Sequence, residues 1–199
     1  MAKVHPRAPV SSAPCYFTSK QETFTIWMKS LVLSGNGCTV FDSNGHVVYR
    51  VDNYNCKSGN QVLLMDSRGK VLFTILRKKL KLLGCWEGYR TFGDEFEERK
   101  LGFQVRKSFR LLRGGSPCRA VVWLDQNQTL QYKIQSWTRS STCKIIDKSG
   151  ELIAEVKRKE SKSGVVLGED VLTMVVEPCM DHCLIMGLVV VYNLIKCKI

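Results

Sequence analysis

Few side chains in this sequence carry chemistry on their own, and they are scattered. The three histidines stand at His5, His46 and His182. Nucleophilic catalysis needs a base within reach of its nucleophile, and no Gly-x-Ser-x-Gly elbow, phosphate-binding loop or zinc-protease helix surrounds any of them. Gly35-Asn-Gly37 is a lone Gly-x-Gly of the kind found in hairpin loops. A non-catalytic protein is expected. Cys179, His182 and Cys183 place thiol and imidazole ligands close together, but no second ligand pair stands at zinc-like spacing, so neither a metal nor a cofactor is expected. Nine cysteines without a Cys-x-x-Cys pair, and no signal-peptide pattern at the N-terminus, point to reduced thiols inside a cell. The lipidation patterns fail as well, because Ala2 replaces the glycine that myristoylation needs and Cys197 is third from the end.

The richer chemistry is cationic. Thirty Lys and Arg against eighteen Asp and Glu give a formal net charge of +12, which favours anionic partners but says nothing about fold. The cations cluster: Arg77, Lys78, Lys79 and Lys81; then Arg106, Lys107, Arg110 and Arg113; then Lys157, Arg158, Lys159 and Lys162. Near an acidic membrane each contributes about 1 kcal/mol, so four give about 4 kcal/mol, a dissociation constant on the order of millimolar. One cluster alone binds weakly; headgroup recognition needs clusters to converge. Arg77, Lys78, Lys79, Lys81, Arg106 and Lys107 are the candidate lipid-phosphate residues, and the alternative is that all three clusters are solvated strand ends and turns. Nucleic acid could use the same charge, but no recognition helix, zinc finger or RNA-binding aromatic motif accompanies it.

These clusters must be positioned by strands. Residues 1–19, with Pro6, Pro9 and Pro14, show no apolar period and read as a flexible arm. From Thr23 onward, short runs of Val, Ile, Phe and Leu are punctuated by turn residues at roughly ten-residue intervals, as in an all-β sandwich or barrel. One turn recurs: Asp42-Ser-Asn-Gly45, Asp66-Ser-Arg-Gly69 and Asp147-Lys-Ser-Gly150. Asp at the first position accepts from backbone amides inside a type I turn, and Gly at the fourth tolerates a left-handed exit. After each Gly the alternate residues are apolar: Val47, Tyr49, Val51; Val71, Phe73, Ile75; Leu152, Ala154, Val156. Three hairpins with one inward register predict a sheet curving round one core. Further strands are predicted over Thr25–Leu33, Leu101–Phe109, Arg119–Leu124, Leu130–Trp137 and Val165–Val176, with residues 84–100 read partly as an exposed connection.

The filler of that core is predicted at the C-terminus. From Cys183 to Ile195 no charge interrupts the chain. The run is too short for the 17–25 apolar residues of about one membrane span. As a helix over about residues 181–196, capped by Asp181, it has no polar face, so it must be surrounded. Leu184, Leu188, Val191 and Ile195 mark one buried stripe. Gly187 then becomes a point of close approach between helix and wall.

Several blocks resemble one family: Phe24-Thr-Ile-Trp-Met-Lys-Ser-Leu31, Gly37 through Tyr54, Leu64 through Phe73, Arg77-Lys-Lys-Leu80, Trp86 and the apolar C-terminus. They are similar to plant LURP-one-related proteins, in order, over most of residues 20–195. Segments 94–128 and 157–168 are less distinctive. The resemblance implies a mainly β, tubby C-terminal-like fold, a closed antiparallel β-barrel of about twelve strands enclosing a hydrophobic C-terminal α-helix, shared with phospholipid scramblases. It implies one such domain over residues 20–199, no established catalysis, and a link to plant defence through one member. From tubby domains it carries over phosphoinositide binding and membrane-tethered regulation. Anionic phospholipids, including phosphoinositides, and protein partners in defence signalling are the expected partners, with no transmembrane span. The expected location is intracellular: cytoplasm, the periphery of the plasma membrane, or the nucleus. No tubby lipid-binding motif maps residue by residue onto this chain, and the calcium-binding segment and membrane-spanning C-terminus of scramblases are missing from it.

Overall fold

The computed structural model describes residues 16–28, 37–52, 61–78, 84–91, 99–108, 117–125, 128–135, 142–161 and 163–196. Their strands are β1 Glu22–Trp27, β2 Gly37–Phe41, β3 Val47–Asp52, β4 Gln61–Asp66, β5 Val71–Lys78 and β6 Cys85–Thr91. There follow β7 Arg99–Lys107, β8 Cys118–Asp125, β9 Gln128–Gln135, β10 Cys143–Ile146, β11 Leu152–Arg158 and β12 Val171–Val176, then the helix α1 His182–Lys196. Each strand pairs antiparallel with its sequence neighbours, and β1 closes the barrel on β12 from Glu22↔Val176 to Trp27↔Val171. Closure leaves no sheet edge to template another chain.

The three Asp turns share one construction. Asp42 Oδ1 accepts from the amides of Asn44 and His46 at 2.9 and 2.8 Å, and Asp66 Oδ1 accepts from those of Arg68 and Lys70, both at 2.9 Å. Asp147 Oδ1 accepts from the Glu151 amide at 2.9 Å and from the Ser149 hydroxyl at 2.7 Å. Gly45, Gly69 and Gly150 carry φ of 85°, 88° and 94°, the region that only a residue without Cβ enters freely. In each hairpin the register shifts by one residue just before the Asp, at Phe41, Met65 and Ile146. That bulge restores the inward alternation after the turn: Tyr49, Val51, Phe73, Ile75, Ala154 and Val156 are all buried.

A twelve-stranded barrel is too wide for its own side chains to fill, since about eight strands is the size they close completely. The helix occupies the space. Cys183 through Asn193 are buried without interruption, which explains why Val189, Val190 and Val191, strand formers by propensity, are helical here: a closed barrel offers no edge to extend, and a helix satisfies its own backbone. Leu184, Leu188 and Val191 lie inside, and Ile195 is half-buried against the same core. Asp181 caps the first turn, accepting from the Leu184 amide at 2.9 Å. Gly187 does mark the close approach. A Cβ there would stand 2.9 Å from the Phe103 ring, and a Cβ on Gly88, the cross-strand partner of Phe103, would stand 2.2 Å from it. The ring fills the gap between barrel wall and helix.

Two predicted elements differ. Residues 85–91 form strand β6, with Cys85, Trp86, Glu87 and Gly88 buried, because hydrogen bonds satisfy the charge that made the segment look exposed. Val165–Leu167, read as the start of a strand, lie in the connection before β12: Gly164 and Gly168 both have positive φ and break the extended backbone. Tyr16 and Thr18, within the segment read as an arm, accept from the amides of His182 and Cys179 at 3.0 and 2.7 Å.

Candidate functional site

Strand pairing brings together cations that lie far apart in sequence. Lys78 pairs with Cys85, Cys85 with Arg106, Arg106 with Arg119 and Arg119 with Lys133. Residues directly opposite one another point to the same side, so Lys78, Arg106, Arg119 and Lys133 form one outward row across β5 to β9. At about 4.8 Å per strand it runs about 19 Å along the wall. Arg106, Arg119 and Lys133 are exposed. Like charges directly opposite one another destabilise a sheet, and among the described residues no ion pair joins these three to an acid. The result is a positive stretch of outer wall.

The row has a neutralised start. Lys78 Nζ lies 3.1 Å from Glu87, which also accepts from Tyr89 at 2.7 Å and Gln104 at 2.8 Å. Burial alone would raise the Glu87 carboxyl, but these hydrogen bonds outweigh it and bring the pKa down to about 2. Hydrogen bonds to Tyr89 and Glu87 push Lys78 up. Lys78 is thus fixed in place, and the uncompensated charge begins at Arg106. A cavity of about 380 Å³ adjoins the other end of the row, lined by Ser108, Arg119, Gln131, Lys133, Asp147 and Lys148 among others.

Of the sequence candidates, Arg77 is exposed at the end of β5 and Lys107 is half-buried at the end of β7, beside Lys78 and Arg106. Lys79, Lys81, Arg110, Arg113 and Lys162 lie outside the described residues. Lys157 and Arg158 end β11, with Lys159 just after it, two strands from β9; Arg158 pairs with Glu169 at 3.1 Å and Lys159 donates to Thr25 at 2.6 Å. Arg119 and Lys133 escaped the sequence reading because each stands alone in its stretch. Period-two alternation could have put them on the outer face, but only the pairing register aligns them with Arg106.

The opposite end of the barrel, where α1 begins, holds a larger cavity of about 880 Å³. Its wall is apolar, including Phe17, Leu101, Trp123, Leu124, Leu130 and Met180. Its charged lining residues are Arg90, Lys100 and Asp181: Arg90 stacks over Phe73 and pairs with Asp181, which is already engaged as the helix cap. The three residues weighed as metal ligands separate here. Cys179 is exposed, Cys183 is buried with its thiol pushed well above the ordinary range, and His182 Nδ1 meets the Tyr49 hydroxyl at 2.5 Å. Among the described residues no group of three His, Cys, Asp or Glu is placed to hold a metal ion. No helix among them is long and apolar enough to cross a membrane.

His182 nevertheless has a measurable consequence. Burial lowers its pKa against the opposing pull of Asp181 and Glu22, so the fold prefers neutral imidazole. The unfolded chain titrates near 6.5, and stability from this group is therefore complete above that pH and lost as pH falls towards the lower folded value. The melting temperature is expected to drop between pH 7 and pH 5.5, and His182→Gln to flatten that slope. Glu87 acts lower, its share being lost as pH falls from 4.5 towards about 2. An unchanged slope in thermal melts of the variant would reassign the acid sensitivity.

The sequence matches the family described as LURP-one-related over residues 22–193. LURP-one-related 3 of Arabidopsis thaliana is 51% identical, with 92% of this chain and 84% of the relative covered. LURP-one-related 11 of the same plant is 45% identical over 99% of this chain and 90% of the relative. An X-ray structure of an Arabidopsis thaliana protein superimposes with a TM-score of 0.63 at 16% identity, covering 92% of this chain and 96% of that one, a likeness of fold.

Proposed function

The chain belongs to the LURP-one-related family, and from that premise we propose that it is a non-catalytic, tubby-like module. It binds acidic membranes, phosphoinositide-bearing ones included, through the outer wall of its barrel. The observation that carries this is the row Arg106, Arg119 and Lys133, three cations on adjacent strands that oppose one another and meet no acid among the described residues. A phosphate layer supplies the missing counter-charge; Lys78 is already paired with Glu87, and Arg77 and Lys107 alternate to the other face of their strands. The domain responsible is residues 20–199, to which Tyr16 and Thr18 of the preceding segment are hydrogen-bonded at the start of α1. A membrane-tethered regulator of plant defence, working in the cytoplasm, at the plasma membrane or in the nucleus, is the role in which such binding would serve. Kinship with phospholipid scramblases is one of fold and does not extend to lipid transport. Nucleic acid is the weaker anionic partner: the described helix is enclosed, so it cannot enter a groove.

The test replaces Arg106, Arg119 and Lys133 together with Ala. At about 1 kcal/mol for each cation, affinity for phosphoinositide vesicles falls on the order of 100-fold in co-sedimentation. The melting temperature stays level or rises, because like charges have been separated. Unchanged vesicle binding overturns the proposal, as does a wild type with no preference for acidic over neutral vesicles.

A further inference from the structure

The exposed large hydrophobics among the described residues form two groups. Phe17, Leu124 and Leu130 edge the cavity at the start of α1. Trp27, Val165, Val166 and Leu167 stand at the other end of the barrel, with 36%, 61%, 44% and 52% of their surfaces exposed. Three consecutive exposed aliphatic residues run against ordinary surface patterning unless they are used. They are also held in a defined shape. The Ser161 amide donates to Val165 at 2.7 Å, the Gly164 amide to Ser161 at 2.9 Å, the Val165 amide to the Ser161 hydroxyl at 3.1 Å and the Leu167 amide to Lys159 at 2.9 Å. Glu160 bridges Val166. Lys159 in turn donates its amide to Val171, the strand partner of Trp27, so the tip and the indole belong to one corner.

We propose that this corner is a wedge that enters the apolar layer of an acidic bilayer: Val165, Val166 and Leu167 penetrate while Trp27, Lys157 and Lys159 remain at headgroup depth. It rests on the membrane reading above and names the element that inserts. An indole at the interface, aliphatic residues beyond it and lysines beside them match the layering of a bilayer surface. Protein interfaces share the preference for aromatic anchors but are depleted in Lys. Glu160 and Glu169 offset much of the local positive charge, so the wedge contributes apolar, salt-insensitive binding. The cationic row contributes the part that salt screens.

The experiment uses the full chain and vesicles of phosphatidylcholine with phosphatidylserine, some carrying brominated acyl chains. Val165→Ser/Val166→Ser/Leu167→Ser is expected to lose at least about tenfold in apparent affinity with an unchanged salt slope, since three aliphatic side chains no longer leave water. Its melting temperature should match wild type, because the tip is solvent-exposed. Brominated lipid should quench wild-type tryptophan fluorescence, and Trp27→Phe should remove much of that quenching. A wild type that binds in a salt-sensitive way, together with a tip variant that binds equally well, overturns the wedge alone. Wild type that dimerises through the tip, with vesicle binding unaffected by the substitutions, assigns the corner to a second copy and also overturns it. A wild type that ignores acidic vesicles removes the membrane reading and the wedge together.

Discussion

Leu188→Asp is expected to leave the chain without a cooperative melting transition. Leu188 is fully buried midway along α1. Truncating such a residue costs about 2–5 kcal/mol, and a carboxylate in its place must either be desolvated or take up a proton, at several kcal/mol more. A domain of this size has roughly 5–15 kcal/mol in all. A surface helix could turn the carboxylate to water, but every neighbour from Cys183 to Asn193 is buried too, so rotation offers no exit. A soluble variant with a sharp melt near the wild-type temperature would contradict the enclosed helix.

The second large effect concerns the Phe103 ring and the two glycines it touches. Phe103→Ala should cost about 3–5 kcal/mol through the cavity it opens between wall and helix. Gly88→Ala should also be strongly destabilising, because the new methyl would sit 2.2 Å from two carbons of the ring, and Phe73, 5.3 Å away between centroids, blocks its retreat. The informative measurement is the double variant. With the ring gone, the Gly88 methyl occupies space that Phe103 vacated, so the two changes together should cost clearly less than their sum in denaturant unfolding. Additive costs would mean that the Gly88 methyl acts through something other than the ring.

What the sequence revealed follows from how local each feature is. The Asp-x-x-Gly turns were legible because the carboxylate, the amides and the left-handed glycine all lie within five residues. The helix was legible because Cys183–Ile195 is apolar on every face, a property of the run itself. Segment 85–91 was not, since Glu87 looks like surface until Lys78, Tyr89 and Gln104 are seen to satisfy it. Nor was the tip: Val-Val-Leu reads alike in a strand and in a loop, and only the backbone at Gly164 and Gly168 decides. The candidate site was half legible. Arg77, Lys78, Arg106 and Lys107 stand out as clusters, but the alignment of Lys78 and Arg106 with Arg119 and Lys133 depends on register across five strands, which no local pattern encodes.

Whether the barrel wall engages anionic phosphate is the central question for this protein. Co-sedimentation of the wild-type chain with phosphoinositide vesicles and with neutral vesicles, at about 0.1 M and about 1 M salt, addresses this directly, because the screening length shrinks from about 10 Å to about 3 Å between them. Binding confined to the acidic vesicles and weakened at least about tenfold at the higher salt is the predicted result. Equal binding to both vesicle types, or no binding to either while duplex DNA is retained at the lower salt, would contradict it.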